Sequence, residues 1–241
     1  MSLRIQKFLS QCGYCSRRKA EALIKAFRVT VNDNPAVLGQ TVDALRDRIC
    51  VDAVHVHPMP QRETVVLMLN KPRGVICTHR IQAATEKTVF HFIPHPWNRE
   101  RFLYCGRLDK DSQGMLILTN DGDFAHQLTH PSANIIKIYR VTLSRPIAEE
   151  HKAQMLRGIE DRGEVLKAEK IFELPQNRGH QVLEIHLRQG RNREIRRMVE
   201  TVGGCHVHRL KRIQIGQLKL KNLAVGAIKY LTPSDRERLF S

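Results

Sequence analysis

The chain has 241 residues, 41% of them hydrophobic, and a formal charge of +16 from 40 Lys and Arg against 24 Asp and Glu. Enough apolar side chain is present to bury a core, which excludes global disorder, and the cationic excess calls for a polyanionic partner, with nucleic acid first. An anionic membrane fits less well, because the cations are spread over polar segments and do not gather on one amphipathic anchor.

The first residues, MSLRIQKFLSQCGYCSRRK, contain no uninterrupted apolar segment and predict no secretion signal. The longest strongly apolar stretch, Val65 to Leu69, is far too short to span a bilayer. Ile5, Phe8, Leu9 and Cys12 repeat at helical spacing, Gly13 ends that helix, and Ser16 can cap a second one. In the second helix Ala20, Leu23, Ile24 and Phe27 form the predicted buried stripe, while Arg17, Arg18, Lys19 and Lys25 occupy the other positions. RVTVNDNP reads as a short strand and a turn, with RICVD as its partner strand. HVHPMPQRET, with two prolines, reads as a linker, which sets a domain boundary near residue 60 and two domains, 1–60 and 61–241.

Beyond the linker the pattern is rich in strands. VVLML, MLILT, KIYRVTL and QVLEIHL are the clearest, with short helices after Asn120-Asp121-Gly122 and over AEEHKAQMLRGI. RQGRNREIRRMVETVGG predicts a further helix with Asn192 as its cap and Ile195, Met198, Val199 and Val202 as its apolar stripe. The expected class is α+β: a small N-terminal unit, then a mixed, mainly antiparallel sheet with its helices on one side.

Six cysteines are scattered without a disulfide-like framework, which predicts reduced thiols and a cytoplasmic protein. Cys12 and Cys15 make a lone CxxC and read as small buried thiols. In CHVH, residues 205 to 208, Cys205 falls on one face of a strand while His206 and His208 face solvent or RNA. Walker and dinucleotide fingerprints are missing, so no cofactor is expected. No third or fourth oxygen or nitrogen ligand stands at a familiar spacing from Asp109 and Asp111, so no metal is expected.

Charge concentrates in three places. Residues 1 to 28 hold seven Lys and Arg against the single acid Glu21. Residues 188 to 221 hold ten against Glu194 and Glu200. GRLDKDSQG, residues 106 to 114, places Arg107, Asp109, Lys110 and Asp111 directly before a core strand. In extended backbone Arg107 and Asp109 share a face, so Asp109 reads as a reactive carboxylate, as part of a surface turn laced by ion pairs, or as half of a metal pair with Asp111. Arg196 can likewise form an ordinary i, i+4 pair with Glu200. With aromatics at 5%, base stacking would fall to one or two rings, and Tyr139 is the best placed.

Together GRLDKDSQG, NKPRG at 70 to 74, KIYRVTL at 137 to 143 and RQGRNREIRRM at 188 to 198 resemble the pseudouridine synthases, in particular the branch that modifies ribosomal RNA one uridine at a time (the RsuA/RluB type). The N-terminal sixty residues resemble the small RNA-binding domain named after ribosomal protein S-four, with Phe27 standing where that domain usually has glycine. The resemblance implies the pseudouridine synthase fold. It makes Asp109 the essential carboxylate, with Arg107 in the same site. It assigns Tyr139 to stacking on the target base, Arg196 to pairing with the aspartate and Ile195 to packing beside the base. Lys71, Arg193, Arg197, Arg17 and Arg18 become candidate RNA contacts. The implied substrate is a uridine of ribosomal RNA, in free RNA or a pre-ribosomal particle, with large-subunit RNA favoured over small-subunit RNA. A monomer without a membrane partner is expected. The rival readings are a non-catalytic RNA-binding assembly factor and a metal-dependent nuclease built on Asp109 and Asp111.

Overall fold

The computed structural model describes residues 2–58, 63–79, 85–99, 101–177 and 179–241. These divide into two compact units, Met1–Glu63 and Thr64–Ser241. The linker read at 55–64 includes residues 59–62, and the boundary near residue 60 therefore lies outside the described residues.

The first unit runs β1 (Ser2–Arg4), α1 (Ile5–Gln11), α2 (Arg17–Lys25), β2 (Val29–Val31), β3 (Asn34–Pro35), β4 (Thr41–Asp43), β5 (Ile49–Val51) and β6 (Val54–His55). Helix α1 buries Ile5, Phe8 and Leu9, and α2 buries Ala20, Leu23 and Ile24. The Ser16 hydroxyl accepts the Lys19 amide at 3.3 Å, which caps an otherwise unsatisfied donor in the first turn of α2. Strands β3-β2-β5-β6 form one sheet. Asn32 and Asp33, at φ 51° and 66°, make the two-residue left-handed connection that matches the twist of a β2–β3 hairpin. Arg17 and Arg18 are exposed on α2.

Phe27 departs from the expected stripe. Helix α2 stops at Lys25, and Phe27 adopts φ 56° with its ring 77% exposed. The chain needs a left-handed residue here to turn from α2 into β2, and that turn swings the side chain away from the core.

The second unit runs β7 (Val66–Lys71), β8 (Leu103–Cys105), β9 (Gln113–Thr119), α3 (Gly122–Thr129), β10 (Lys137–Leu143), α4 (Glu149–Arg157), β11 (Ile159–Asp161), β12 (Glu164–Leu166), β13 (Lys170–Asn177), β14 (His180–Leu187), α5 (Glu194–Gly203), β15 (Val207–Ile215), β16 (Leu218–Lys219), β17 (Ile228–Tyr230) and α6 (Pro233–Glu237). Its main sheet follows β13-β14-β10-β15-β9-β7-β17, with β8 on β9 and β16 on β15. Neighbours are antiparallel except β15 and β9, which run parallel. Among the described residues no helix is long and apolar enough to cross a membrane.

The helices do not sit on one side. Leu67, Leu69, Leu116 and Leu118 face a core shared with Met155 of α4 and with Ile195, Met198 and Val199 of α5. Val66, Met68, Met115 and Ile117 face the opposite core, shared with Ala125 and Leu128 of α3 and with Leu239. The continuous apolar runs of β7 and β9 are the reason: a strand without polar alternation must be covered on both faces.

Two local geometries aim the strands. At Gly114, φ is 106° and an added Cβ would stand 2.2 Å from the Arg212 carbonyl oxygen, so the β9–β15 approach requires a residue without a side chain. A register shift between Ile138 and Tyr139 in the β10–β15 ladder makes Tyr139 and Arg212 cross-strand partners.

Replacing Phe27 by glycine removes the left-handed cost of an L-residue. Urea denaturation of Phe27→Gly is expected to show a gain of about 1 kcal/mol; a loss would mean that the exposed ring contributes a contact.

Candidate active site

The segment between β8 and β9 is short, polar and held from beneath. Lys71, the last residue of β7, is 0% exposed. Its ammonium donates to the carbonyl oxygens of Pro72 (3.0 Å), Asp109 (3.1 Å), Lys110 (3.5 Å) and Ser112 (2.8 Å). The Gly74 amide donates to Lys110 O at 2.8 Å, and the Ser112 amide closes a turn onto Asp109 O at 3.0 Å. Burial pushes the Lys71 ammonium down to about 8, against the pull of Cys77, Asp109 and Asp111. Lys71, expected from sequence to contact RNA, is instead fully buried with its ammonium turned to these carbonyls. It organises the loop from inside, because an ammonium with three N–H groups is the side chain suited to several converging carbonyls.

With Leu108 buried between them, Arg107 and Asp109 both turn to the open side and line a cleft of about 620 Å³. The Asp109 side chain is 30% exposed. Its Oδ2 stands 3.8 Å from Arg196 Nε and 3.9 Å from Arg193 Nη1. These are ion pairs without hydrogen-bond contact. Tyr139 from β10 and Ile195 from α5, both buried, line the same cleft. Arg107 is exposed and forms no hydrogen bond or ion pair among the described residues.

The arginines around α5 differ in role. Arg193 is the N-cap, in place of Asn192, and takes φ 50°, which makes the expected helix begin later, at Glu194. The Arg196 side chain is 13% exposed, and its Nη1 donates to Val207 O at 3.0 Å. Its Nε is buried with no hydrogen-bond partner among the described residues. Burial and the neighbouring Arg193 pull the Arg196 guanidinium below its ordinary value, and Asp109 pulls it back. The alternative i, i+4 pair with Glu200 is not formed among the described residues; Arg196 turns to Asp109 instead. Arg197 points to the β11–β12 hairpin, where it binds the Asp161 carboxylate and donates to Glu164 Oε2 at 2.7 Å. Its guanidinium is spent on the protein, which corrects its reading as an RNA contact.

Among the cleft-wall residues not singled out by sequence are three charged ones, Lys137, Glu194 and Arg212. Two of them sit beside or two residues from one that was. Lys137 precedes Tyr139 by one strand period, and Glu194 adjoins Ile195. Arg212 occupies an apolar-face position of an alternating strand, where an arginine needs a reason.

A carboxylate ringed by guanidinium groups, an aromatic ring and an apolar wall in one cleft suit a neutral ring carried on a polyanion. Comparison with known proteins agrees. Residues 65–201 match the family described as RNA pseudouridylate synthase, and residues 3–49 match the S4 domain. The ribosomal large subunit pseudouridine synthase B of Bacillus subtilis (strain 168) is 36% identical over 239 residues, spanning 98% of this chain and 95% of that protein. The dual-specificity RNA pseudouridine synthase RluF of Escherichia coli (strain K12) is 34% identical, spanning 99% of this chain and 79% of that protein. A crystal structure of a pseudouridylate synthase superposes with a TM-score of 0.68 at 29% identity, covering 98% of this chain and 99% of that one. The chain belongs to the RNA pseudouridylate synthase family and carries an S4 domain ahead of its synthase domain.

Proposed function

We propose that the protein isomerises a specific uridine of large-subunit ribosomal RNA to pseudouridine, with Asp109 acting at the ribose of a nucleotide drawn out of its stack. The observation that carries this reading is the Asp109 carboxylate on the wall of the cleft, with two guanidinium groups at 3.8 and 3.9 Å and Tyr139 in the same wall. The choice of RNA is supported by relatives named as large-subunit enzymes.

The reaction breaks the bond from uracil N1 to the anomeric carbon, turns the base and joins C5 to that carbon; C5 loses a proton and N1 gains one. Nothing is oxidised and no group enters, so neither a redox cofactor nor a metal has a step to perform. An anionic oxygen at the ribose can stabilise an electron-poor sugar, trap it or take a proton from it. Arg193 and Arg196 stand at ion-pair distance from Asp109 and set positive charge against its carboxylate in a partly dry site. The unbonded Nε of Arg196 adds a second function: a nucleotide pressing on the loop would turn a 3.8 Å ion pair into a hydrogen bond. Tyr139 offsets part of the stacking lost when the base leaves the helix, and Ile195 closes the ring's edge. Arg107 and Arg193, at the exposed side of the cleft, meet phosphates, as do Arg17 and Arg18 of the N-terminal unit. A boundary near residue 60 then separates an RNA-binding part from a catalytic part. The enzyme works as a monomer in the cytosol, on free RNA or a pre-ribosomal particle.

The decisive experiment uses ribosomal RNA from a strain lacking this protein, treated with the enzyme, labelled with carbodiimide and read by primer extension. A new stop at one uridine is expected, and its absence with folded protein sinks the assignment. Asp109→Asn should keep RNA binding and lose at least about a thousandfold in turnover; residual activity near wild type would remove Asp109 from the chemistry. Arg196→Ala is expected to lower kcat about a hundredfold, whereas Arg197→Ala lowers the melting temperature and leaves turnover nearly intact. Equal kinetic effects would make both arginines part of one solvated face. Lys71→Met leaves buried carbonyls without a donor and should cost on the order of 3 kcal/mol in urea unfolding. Unchanged stability would show that the loop holds itself.

A further inference from the structure

Among the ionisable side chains of the cleft wall that take no part in the chemistry above are Lys137, Glu194 and Arg212, and two of these carry unmade hydrogen bonds. Arg212 is 2% exposed; its Nε donates to Met115 O at 2.7 Å, while its Nη2 is buried without a partner among the described residues. Glu194 is 4% exposed; its Oε2 accepts the Arg191 amide at 2.9 Å, while its Oε1 is buried without a partner among the described residues. Lys137 donates to Ile135 O at 3.2 Å and Arg188 O at 3.3 Å, which occupies two of its three N–H groups. All three line the cleft that holds Asp109 and Tyr139.

Their placement follows from the ladder. Lys137 and Tyr139 are two residues apart on β10 and so share a face, roughly 6.7 Å from each other along the strand. Arg212 is the cross-strand partner of Tyr139, at roughly 5 Å. Glu194 precedes Ile195 on the first turn of α5. The three feel one another: burial and Arg212 lower the Lys137 ammonium to about 8, and Glu194 opposes them. Burial raises the Glu194 carboxyl, against Arg191 and Lys137. A purely structural ion cluster would close its own pairs. Here an acceptor and a donor are both dry, both unspent and not bonded to each other, and a protein keeps such groups where a ligand completes them.

We infer that Lys137, Glu194 and Arg212 read the pairing edge of the uracil, an inference that rests on the cleft being the uridine site proposed above. Uracil presents a carbonyl oxygen, a ring N–H and a second carbonyl oxygen. Lysine, glutamate and arginine supply the complement: donor, acceptor, donor. Cytosine presents an acceptor at ring N3 and an amino donor beside it, so Glu194 would meet a lone pair and one of the cations a hydrogen. The face of the ring is left to Tyr139, and the edge carries the specificity.

The test uses a short transcript spanning the modified uridine, once primer extension has located it, and two copies carrying cytidine or 3-methyluridine at that position. In competition binding the wild type is expected to favour the uridine transcript over either copy by about tenfold or more, about 1.4 kcal/mol in affinity. Glu194→Gln keeps the length of the side chain and an oxygen for the Arg191 amide but adds a donor. It should narrow the uridine-to-cytidine preference to within about threefold, or about 0.65 kcal/mol. Wild-type protein that binds all three transcripts alike overturns the inference, as does a Gln variant with a wild-type melting curve and an undiminished preference. Should the Gln variant not fold, the wild-type comparison with 3-methyluridine decides alone, equal binding counting against the inference and weaker binding for it. Absence of pseudouridine from the uridine transcript would instead sink the functional reading, whereas pseudouridine formed without base preference sinks only this one.

Discussion

The site depends on one buried cation that never reaches the solvent. The Lys71 ammonium lies under the loop between β8 and β9 and gathers the carbonyls of Pro72, Asp109, Lys110 and Ser112. Loops leave backbone oxygens without ladder partners, and such oxygens must be satisfied when they are buried. By answering them from below, Lys71 leaves the upper side of the loop free to carry Asp109 into the cleft. The carboxylate itself is held more loosely, by two guanidinium groups at ion-pair distance. Backbone rigidity and side-chain freedom are thus separated: the loop is pinned, and the carboxylate can still adjust to a ligand.

The sheet explains where the loop can be. Strands β7 and β9 are apolar on both faces, so they are covered on both sides, by α4 and α5 on one and α3 on the other. Lys71 ends one of these strands, and Gln113 begins the other immediately after the loop. Close approach at Gly114 brings β15 against β9, and β15 in turn carries Arg212 opposite Tyr139. Residues far apart in the chain are thus brought to one cleft by the parallel β9–β15 pairing.

The cationic excess divides into cations that are spent and cations that are not. Lys71 and Arg197 are consumed inside the protein. Arg107, Arg17 and Arg18 remain exposed. Counting charge along a sequence cannot separate the two groups, because each buried arginine resembles an RNA-binding one until its carboxylate partners are known. Asp161 and Glu164 claim Arg197 from a hairpin some thirty residues earlier, and no local pattern announces that contact.

Much was legible in the chain itself. The Ser16 cap, the two helical stripes around Ile5 and Leu23, and the alternating strands through Tyr139 and Leu183 follow from local propensity and periodicity, which act over a few residues. So does the sharing of a face by Arg107 and Asp109, since extended backbone alternates wherever it occurs. Tertiary structure decided what depends on partners from elsewhere. It turned Phe27 out of its stripe, because the entry to β2 needs a left-handed residue. It moved the start of α5 past Asn192 and drew Lys71 and Arg197 away from the surface. It also brought Lys137, Glu194 and Arg212 to one wall, since burial of a charge is a property of the packed chain and is written in no short stretch of residues.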